Sequence, residues 1–203
     1  MNRRTFGHVA MVALVSVFAW TATTPALANP DAEAFTQKVI DEGLHILRDG
    51  GAGARFHEFI FKYADASKAA MFTLGPYRKT AAKGDLDSFV DAYREFQFAL
   101  YARSLDKYKD KSLKVTGSVD NQPGDTTVNT VVADEGGRTD KGLRVSFRMA
   151  GTGGSYKFTD VQIEGAWISQ SQLEQFRAIL NRNGGNIPEL TQEIQNRTQH
   201  MND

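Results

Sequence analysis

The hydrophobic period of this chain changes twice. From Phe35 to Leu105 apolar residues recur every three or four positions. From Leu113 to Ile163 they tend to fall on alternate positions, and from Leu173 the wider spacing returns. The first spacing buries one stripe of a helix, and the second buries one face of a strand. The chain therefore reads as helices, then strands, then helices, which is an α+β plan in which one sheet is covered by helices.

In the first helical block, Ile40, Leu44 and Leu47 form a stripe, widened by Phe35, Val39 and Ile46, between Asp31 and Arg48. Asp49-Gly50-Gly51-Ala52-Gly53 ends that helix. Phe56, Phe59 and Ile60 mark a short second helix. Asp65 is placed to cap a third, carrying Ala69, Phe72 and Leu74, which Gly75-Pro76 stops. A fourth helix is expected from near Asp85 to about Tyr108. It contains FVDAYREFQFALY, Phe89 to Tyr101, in which five of thirteen positions are aromatic. Phe89, Tyr93, Phe96 and Leu100 fall within roughly 60° of one another around the axis. Phe98, Tyr101 and Leu105 lie on roughly the opposite side. A surface helix needs one apolar face, so this one is expected to be sandwiched.

Four strands are expected in the middle block. Leu113, Val115 and Val119 belong to the first, and Val128, Val131 and Val132 to a second between Thr126 and Asp134. Asp134-Glu135-Gly136-Gly137 turns the chain. In the third strand Leu143, Val145, Phe147 and Met149 alternate with Arg144, Ser146 and Arg148, giving one wet face. Gly151-Thr152-Gly153-Gly154-Ser155 leads to a fourth strand from Tyr156 to about Glu164. Short turns make this an antiparallel meander, with the aromatic helix as its expected cover. Ser171-Gln172-Leu173-Glu174 reads as a capping box opening a helix with Leu173, Phe176, Ile179 and Leu180 on its stripe. Gly184-Gly185 can end that helix, and Pro188 suits the first turn of a last one carrying Leu190 and Ile194. The blocks are thus helical over 31–108, sheet over 112–165 and helical over 170–197.

The start of the chain stands apart. Basic Arg3-Arg4, the apolar run Val9–Trp20 and the small-x-small site Ala26-Leu27-Ala28 have the layout of a secretory signal peptide cleaved after Ala28. The apolar run is shorter than the roughly 20 residues of a membrane span. Residues 29–203 then form a single domain. Removing Arg3 and Arg4 from 24 basic side chains leaves 22 against 24 acidic ones. That balance gives no electrostatic case for nucleic acid. With no cysteine in the chain there is neither a lipid anchor after the leader nor a disulfide framework. An exported, unanchored, disulfide-free chain suits a bacterial periplasm, and with no coiled coil or spare apolar helix a monomer is expected.

Searches for chemistry return structural readings. His45, His57 and His200 form no zinc-ligand pattern, and His57-Glu58 lacks a second histidine four residues on. There is no cysteine nucleophile and no Gly-x-Ser-x-Gly elbow. The glycines of 151–155 lack the lysine and helix of a P-loop and read as a hairpin turn. Asp160 and Glu164 would sit about 13 Å apart on one strand, too far for a cooperating carboxylate pair, and read as a solvated face. No enzyme, no metal and no cofactor are expected. What is unusual is the apolar inventory, with 11 of 13 phenylalanines outside the leader.

Against this reading stands a resemblance. Leu74-Gly75-Pro76-Tyr77-Arg78, then Phe89 to Phe96, Tyr101 and Tyr108, are similar to the MlaC family of periplasmic phospholipid carriers. Arg144-Val145-Ser146-Phe147-Arg148 resembles the family's third strand, and Asp160-Val161-Gln162-Ile163-Glu164-Gly165 its most recognisable stretch. Phe176, Leu180, Gly184 and Leu190 resemble its closing helices, so the likeness spans about 31–196. Two departures are Ala166-Trp167 after the Glu-Gly, where a small apolar residue and a serine are usual, and Tyr156 where tryptophan is frequent. The related HpnM family, linked to hopanoid-producing bacteria, shares the pattern.

The resemblance implies a curved antiparallel sheet of about four strands, of the nuclear-transport-factor-like kind. Helices cover its concave face and enclose an apolar cavity for phospholipid acyl chains, with the headgroup outside. It implies a shuttle that helps to maintain outer-membrane lipid asymmetry. Its partners would be the MlaA-type lipoprotein complex of the outer membrane and the MlaD-type component of an inner-membrane ABC transporter. A hopanoid or another apolar lipid is the alternative cargo. The residues expected to line the cavity are Phe72, Tyr93, Phe96, Leu100, Tyr101, Val115, Val145, Phe147, Val161 and Ile163. Arg78, Lys79 and Lys83 are the expected docking cluster. Enzymes on a similar cone generally place a His and an Asp inside it, whereas the inner positions here carry Leu, Val, Phe and Met.

Overall fold

The computed structural model describes residues 28–105, 110–133 and 142–202. The expected leader up to residue 27, the turn at 134–137 and the end of the aromatic helix at Tyr108 lie outside them. The first helix, α1, spans Pro30–Gly50. Asn29 caps it, its Oδ1 accepting from the Ala32 amide at 3.0 Å, with Pro30 pre-set in the first turn. The same asparagine reaches the sheet. Its amide donates to Ser118 Oγ at 2.7 Å, and its Nδ2 donates to Asp120 Oδ1 at 3.0 Å. One residue thus starts α1 and fixes where it crosses the strands.

The helices α2 (Ala54–Tyr63) and α3 (Ser67–Thr73) follow. The N-cap of α3 is Ala66 and not Asp65 as expected; Asp65 lies one residue earlier and accepts from the Ser67 amide at 3.0 Å, a local turn that leads into the helix. A 3-10 turn over Gly75–Lys79 then leads to α4 (Lys83–Leu105). The strands β1 (Ser112–Gln122), β2 (Asp125–Ala133), β3 (Arg144–Thr152) and β4 (Ser155–Ile163) pair in chain order as an antiparallel meander. A fifth strand, β5 (Ala166–Trp167), was not expected. Glu164 and Gly165, at φ 48° and 87°, reverse the chain in two residues and pair Ile163 with Ala166. The sheet therefore has five strands. It is followed by α5 (Ile168–Arg182) and α6 (Ile187–Asn202).

Two further expectations are corrected. The helix α5 opens three residues before the supposed capping box, so Ser171 lies inside it. The first turn is held by a neighbouring strand instead. Asp160 of β4 accepts from the Ser169 amide at 3.3 Å and from Ser169 Oγ. A local motif does not register a cap supplied from a distant segment. The carboxylate is therefore a structural group and not one of a solvated pair; Glu164 is separately held by Arg144 at 3.0 Å.

The second correction concerns the cover of the sheet, which at the β1–β2 side is α1 and not α4. Ala32 and Phe35 of α1 pack on Val128, Met149 and Tyr156, and Thr36 Oγ1 contacts Met149 Sδ at 3.0 Å. The small residues Ala32 and Thr36 allow this close approach. The aromatic helix lies instead along α6 and α3.

It is nonetheless apolar on two sides, as its sequence requires. Phe89, Tyr93 and Phe96 enter a core shared with α3, α5 and α6. Phe98, on the other side, packs with Phe56 and His57 in the α1–α2 layer, ring centres 6.4 and 4.6 Å away. Phe176 of α5 is the hub of the helical core, with the rings of Phe89, Tyr93 and Phe96 at 6.1, 6.4 and 6.2 Å. The helix α5 ends as its glycines suggest. The Gly185 amide donates to Leu180 O at 2.7 Å with φ of 85°, and a Cβ there would meet the Tyr77 ring at 2.8 Å.

Candidate functional site

The register of the strands sorts their side chains into rows. Val115, Thr130, Val145 and Ile163 are successive cross-strand partners, and so are Ser118, Val128, Phe147 and Val161. Directly opposed residues point to the same face. Five of the residues expected to line a pocket, Val115, Val145, Phe147, Val161 and Ile163, therefore share one face of the sheet, the face on which α1 lies.

Closure of that face is uneven. Val128, Met149 and Tyr156, beneath the start of α1, are buried. Val115, Val145, Phe147 and Val161 are only half-buried, and Ile163 is 41% exposed. Phe158 stands between the two parts, its ring 6.0 Å from Phe35 and 5.3 Å from Phe147. It was not among the expected lining residues. A register shift between Arg148 and Met149 opposite β4 breaks the alternation of that strand, so counting by twos misplaces Phe158.

The helical residues of the expected set are dispersed. Tyr93 and Phe96 are enclosed in the helical core, against Phe176, and present no open surface. Leu100 packs against that same core and is partly buried. Phe72 of α3 is 40% exposed. Tyr101 belongs to the opposite stripe. It is deep enough that burial pushes its phenol up, and the charge of Asp160 on β4 pushes the same way, yet its side chain is only half-buried.

Polar side chains that the sequence reading passed over link α4 to α5. Tyr93 Oη donates to Gln172 Oε1 at 2.6 Å, and Gln172 Nε2 donates to Gln97 Oε1 at 2.6 Å. Gln97 Nε2 reaches Tyr101 Oη at 3.5 Å. A glutamine within an aromatic stripe reads as a helix former on a wet face, and only a partner on another helix shows otherwise.

Arg78, Lys79 and Lys83 are all exposed where the 3-10 turn meets α4. Arg78 donates to Met71 O at 3.0 Å, and Lys83 pairs with Asp87 at 2.5 Å. An open cleft of about 1050 Å³ lies elsewhere, between α2, α4 and α6. Its charges are largely self-paired, His57 with Glu95 at 3.1 Å and Arg94 with Asp91 at 3.8 Å, and Arg94 also lies over the Phe61 ring. Among the described residues no cluster of three or more His, Cys, Asp or Glu side chains is placed to hold a metal. No helix among them is long and apolar enough to cross a membrane.

Among solved structures the fold is similar to that of a phospholipid-binding protein from Ralstonia solanacearum, determined in complex with a phospholipid. The two share 19% sequence identity with a TM-score of 0.72, over 85% of this chain and 99% of the other. No curated protein matched the sequence. The profile of the MlaC protein family matches residues 37–196, from the second turn of α1 to the middle of α6. The chain belongs to the MlaC family.

Proposed function

We propose that this protein is a periplasmic phospholipid carrier. It takes the acyl chains of one lipid against the open part of the sheet and leaves the headgroup at the surface. The observation that carries the reading is the sheet's inner face, where Val115, Val145, Phe147, Val161 and Ile163 form apolar rows that the helices leave half open. Membership of the MlaC family and a likeness in fold to a protein that holds a phospholipid support it.

The need for such a carrier follows from elementary energetics. Each buried CH₂ is worth about 0.8 kcal/mol, so two acyl chains of roughly 15 carbons cost on the order of 20 kcal/mol to expose to water. A lipid crosses an aqueous compartment only inside something that buries that surface. Acyl chains need no directional contacts, which suits walls of Val, Ile and Phe. The protein performs no covalent step. It receives and delivers lipid at two membrane complexes, an MlaA-type complex at the outer membrane and an MlaD-type component at the inner one. Arg78, Lys79 and Lys83 supply the charge that docks it. The leader, residues 1–28, directs export and is removed.

Native mass spectrometry of the protein purified from a periplasmic extract, followed by lipid analysis, tests this. A stoichiometric phospholipid mixed in headgroup is the expected result. A hopanoid in its place would replace the cargo, and a protein that stays apo even after incubation with phospholipid vesicles would overturn the carrier reading.

A further inference from the structure

Asn29 ties α1 to three strands. Its Oδ1 accepts from the Ala32 amide at 3.0 Å and from Tyr156 Oη of β4 at 3.4 Å. Its Nδ2 donates to Asp120 Oδ1 of β1 at 3.0 Å and to Thr126 Oγ1 of β2 at 3.3 Å. The backbone nitrogen has a partner of its own. It donates to Ser118 Oγ of β1 at 2.7 Å, and Ser118 Oγ donates in turn to Glu33 Oε1 at 2.7 Å. One backbone N–H is thus relayed through a hydroxyl onto a carboxylate in the first turn of α1.

That nitrogen is also the atom at which the sequence ends the leader. The small-x-small site Ala26-Leu27-Ala28 puts the cut at the Ala28–Asn29 peptide bond. Hydrolysis there consumes one water. Its hydroxyl goes to the Ala28 carbonyl carbon and its proton to the Asn29 nitrogen. The new acid then gives a second proton to that amine, so the leader departs with a carboxylate and Asn29 keeps an α-ammonium. The cut site and the hydrogen bond are independent observations, and they meet at one atom.

An α-amino group has an ordinary pKa of about 7.7–8.0 and is largely charged at neutral pH. The cut therefore replaces a neutral donor by a cationic one with the line to Ser118 and Glu33 already laid. Hydrogen bonds from a charged donor are roughly twice as strong as neutral ones. The positive end of α1 opposes the cation with roughly half an elementary charge. Against it stand the carboxylates of Asp31 and Glu33 in the first turn and of Asp120 on β1, so the balance favours the ammonium. Tyr156, the titratable group that meets Asn29 from β4, reaches only its side chain.

We infer that removal of the leader is itself a structural event: the α-ammonium it creates on Asn29 closes a charged line through Ser118 to Glu33 and fastens the start of α1, the cover of the sheet's inner face, to β1. The inference rests on the leader reading of the proposed function and gives the cut a second consequence beyond release of the chain.

The test compares two chains without substitutions, one beginning at Asn29 and one beginning at Ala28, each released from a fusion by a protease that cuts directly before that residue. In the second chain the Asn29 nitrogen remains a peptide amide, and the ammonium sits one residue further out, on exposed Ala28. Urea unfolding is measured from pH 6.5 to pH 10. The chain beginning at Asn29 is expected to have a folding equilibrium constant about threefold larger at pH 6.5, the size of a partly exposed ion pair. A cation whose folded pKa lies above its unfolded value contributes fully below the unfolded value and loses the contribution as pH rises through the folded one. The advantage should therefore fade above about pH 8 and be gone by pH 10. Glu33→Gln in both chains should remove most of it. Equal stability at pH 6.5 overturns the inference, as does an advantage that persists at pH 10 or in Glu33→Gln. The comparison without substitutions decides by itself even if the variant folds poorly. The mass of the protein exported from the full chain completes the test. A first residue other than Asn29 overturns the inference together with the expected leader boundary, while unequal stability is required only of the inference. None of these outcomes touches lipid uptake, so the carrier reading stands or falls separately.

Discussion

Phe176 and Phe147 are the same side chain in two settings. Phe176 is fully buried, with three aromatic rings from α4 about it. Phe147 sits mid-sheet between Val128 and Val161, with Phe158 at 5.3 Å, and is half-buried. Around Phe176 every apolar surface is spent on other protein, while around Phe147 much of it is left over. The two regions divide the tasks that the proposed carrier function requires. The helical core supplies the packing that keeps the chain folded whether or not cargo is present. The sheet is held by its backbone ladder, which is indifferent to what lies on its inner face. An apolar surface can remain open only if the fold does not depend on closing it.

Truncating each ring tests that division, and the largest effect is expected in the helical core. Phe176→Ala should lower unfolding free energy by about 3–5 kcal/mol, because rigid rings on three sides cannot collapse into the space. Urea unfolding of the lipid-free protein measures it. A loss near 1 kcal/mol would mean that stability resides elsewhere and the comparison is wrong.

Phe147→Ala should cost the lipid-free protein only about 1 kcal/mol, since roughly half of the ring's transfer energy is realised. The companion change Val161→Trp adds volume on the same row. It should leave the lipid-free transition nearly unmoved and reduce the fraction of protein that retains lipid. If Phe147→Ala proves as damaging as Phe176→Ala, the inner face is an ordinary core and the site must be sought elsewhere.

How much of this was legible beforehand differs between the two regions, for a physical reason. Helical stripes and strand alternation are local, so the block order, four of the five strands and the two-sided character of α4 could be read from spacing. Which helix lies on the sheet is decided by fit between distant surfaces. Phe89 to Tyr101 drew attention by size, yet Ala32 and Thr36 cover the strands because they are small enough to approach. That Val115, Val145, Phe147, Val161 and Ile163 share one face was readable because strand alternation is local. Tyr93 and Phe96 were not separable from them by sequence, since a buried ring and an exposed ring on one helix have the same spacing. Gln97, Gln172 and Asp160 each bond to a partner on another element, at least nine residues away, which local spacing does not reveal.

Surface charge should matter less to stability than either ring. Reversing Arg78, Lys79 and Lys83 together to Glu is expected to shift unfolding free energy by no more than about 0.5 kcal/mol per site, as for exposed positions generally. Lipid retention should be unchanged, and the rate of lipid delivery to membranes bearing the partner complex should fall. Unaltered delivery would remove these residues from the docking surface.

The smallest effect is expected on the other face of the sheet, where Arg148 grips Asp125 with Nε at 2.9 Å and Nη2 at 2.5 Å. This pair is a control for the inner face, since it joins β2 and β3 across the same ladder without touching the apolar rows. The arginine's hydrogen bonds hold the Asp125 carboxyl below its ordinary range. A carboxyl whose folded pKa lies below the unfolded value of about 3.9 adds stability above that pH and loses it as pH falls through the folded value. Because the pair is partly open to solvent, its contribution should be about 0.5 kcal/mol. The stability difference between wild type and Arg148→Met should therefore be small and flat above about pH 5 and vanish toward pH 2. A difference of several kcal/mol, or one that persists in acid, would show that the outer face braces the sheet. The inner face could then be open only because the outer one is clamped, and the division of labour between helices and sheet would have to be redrawn.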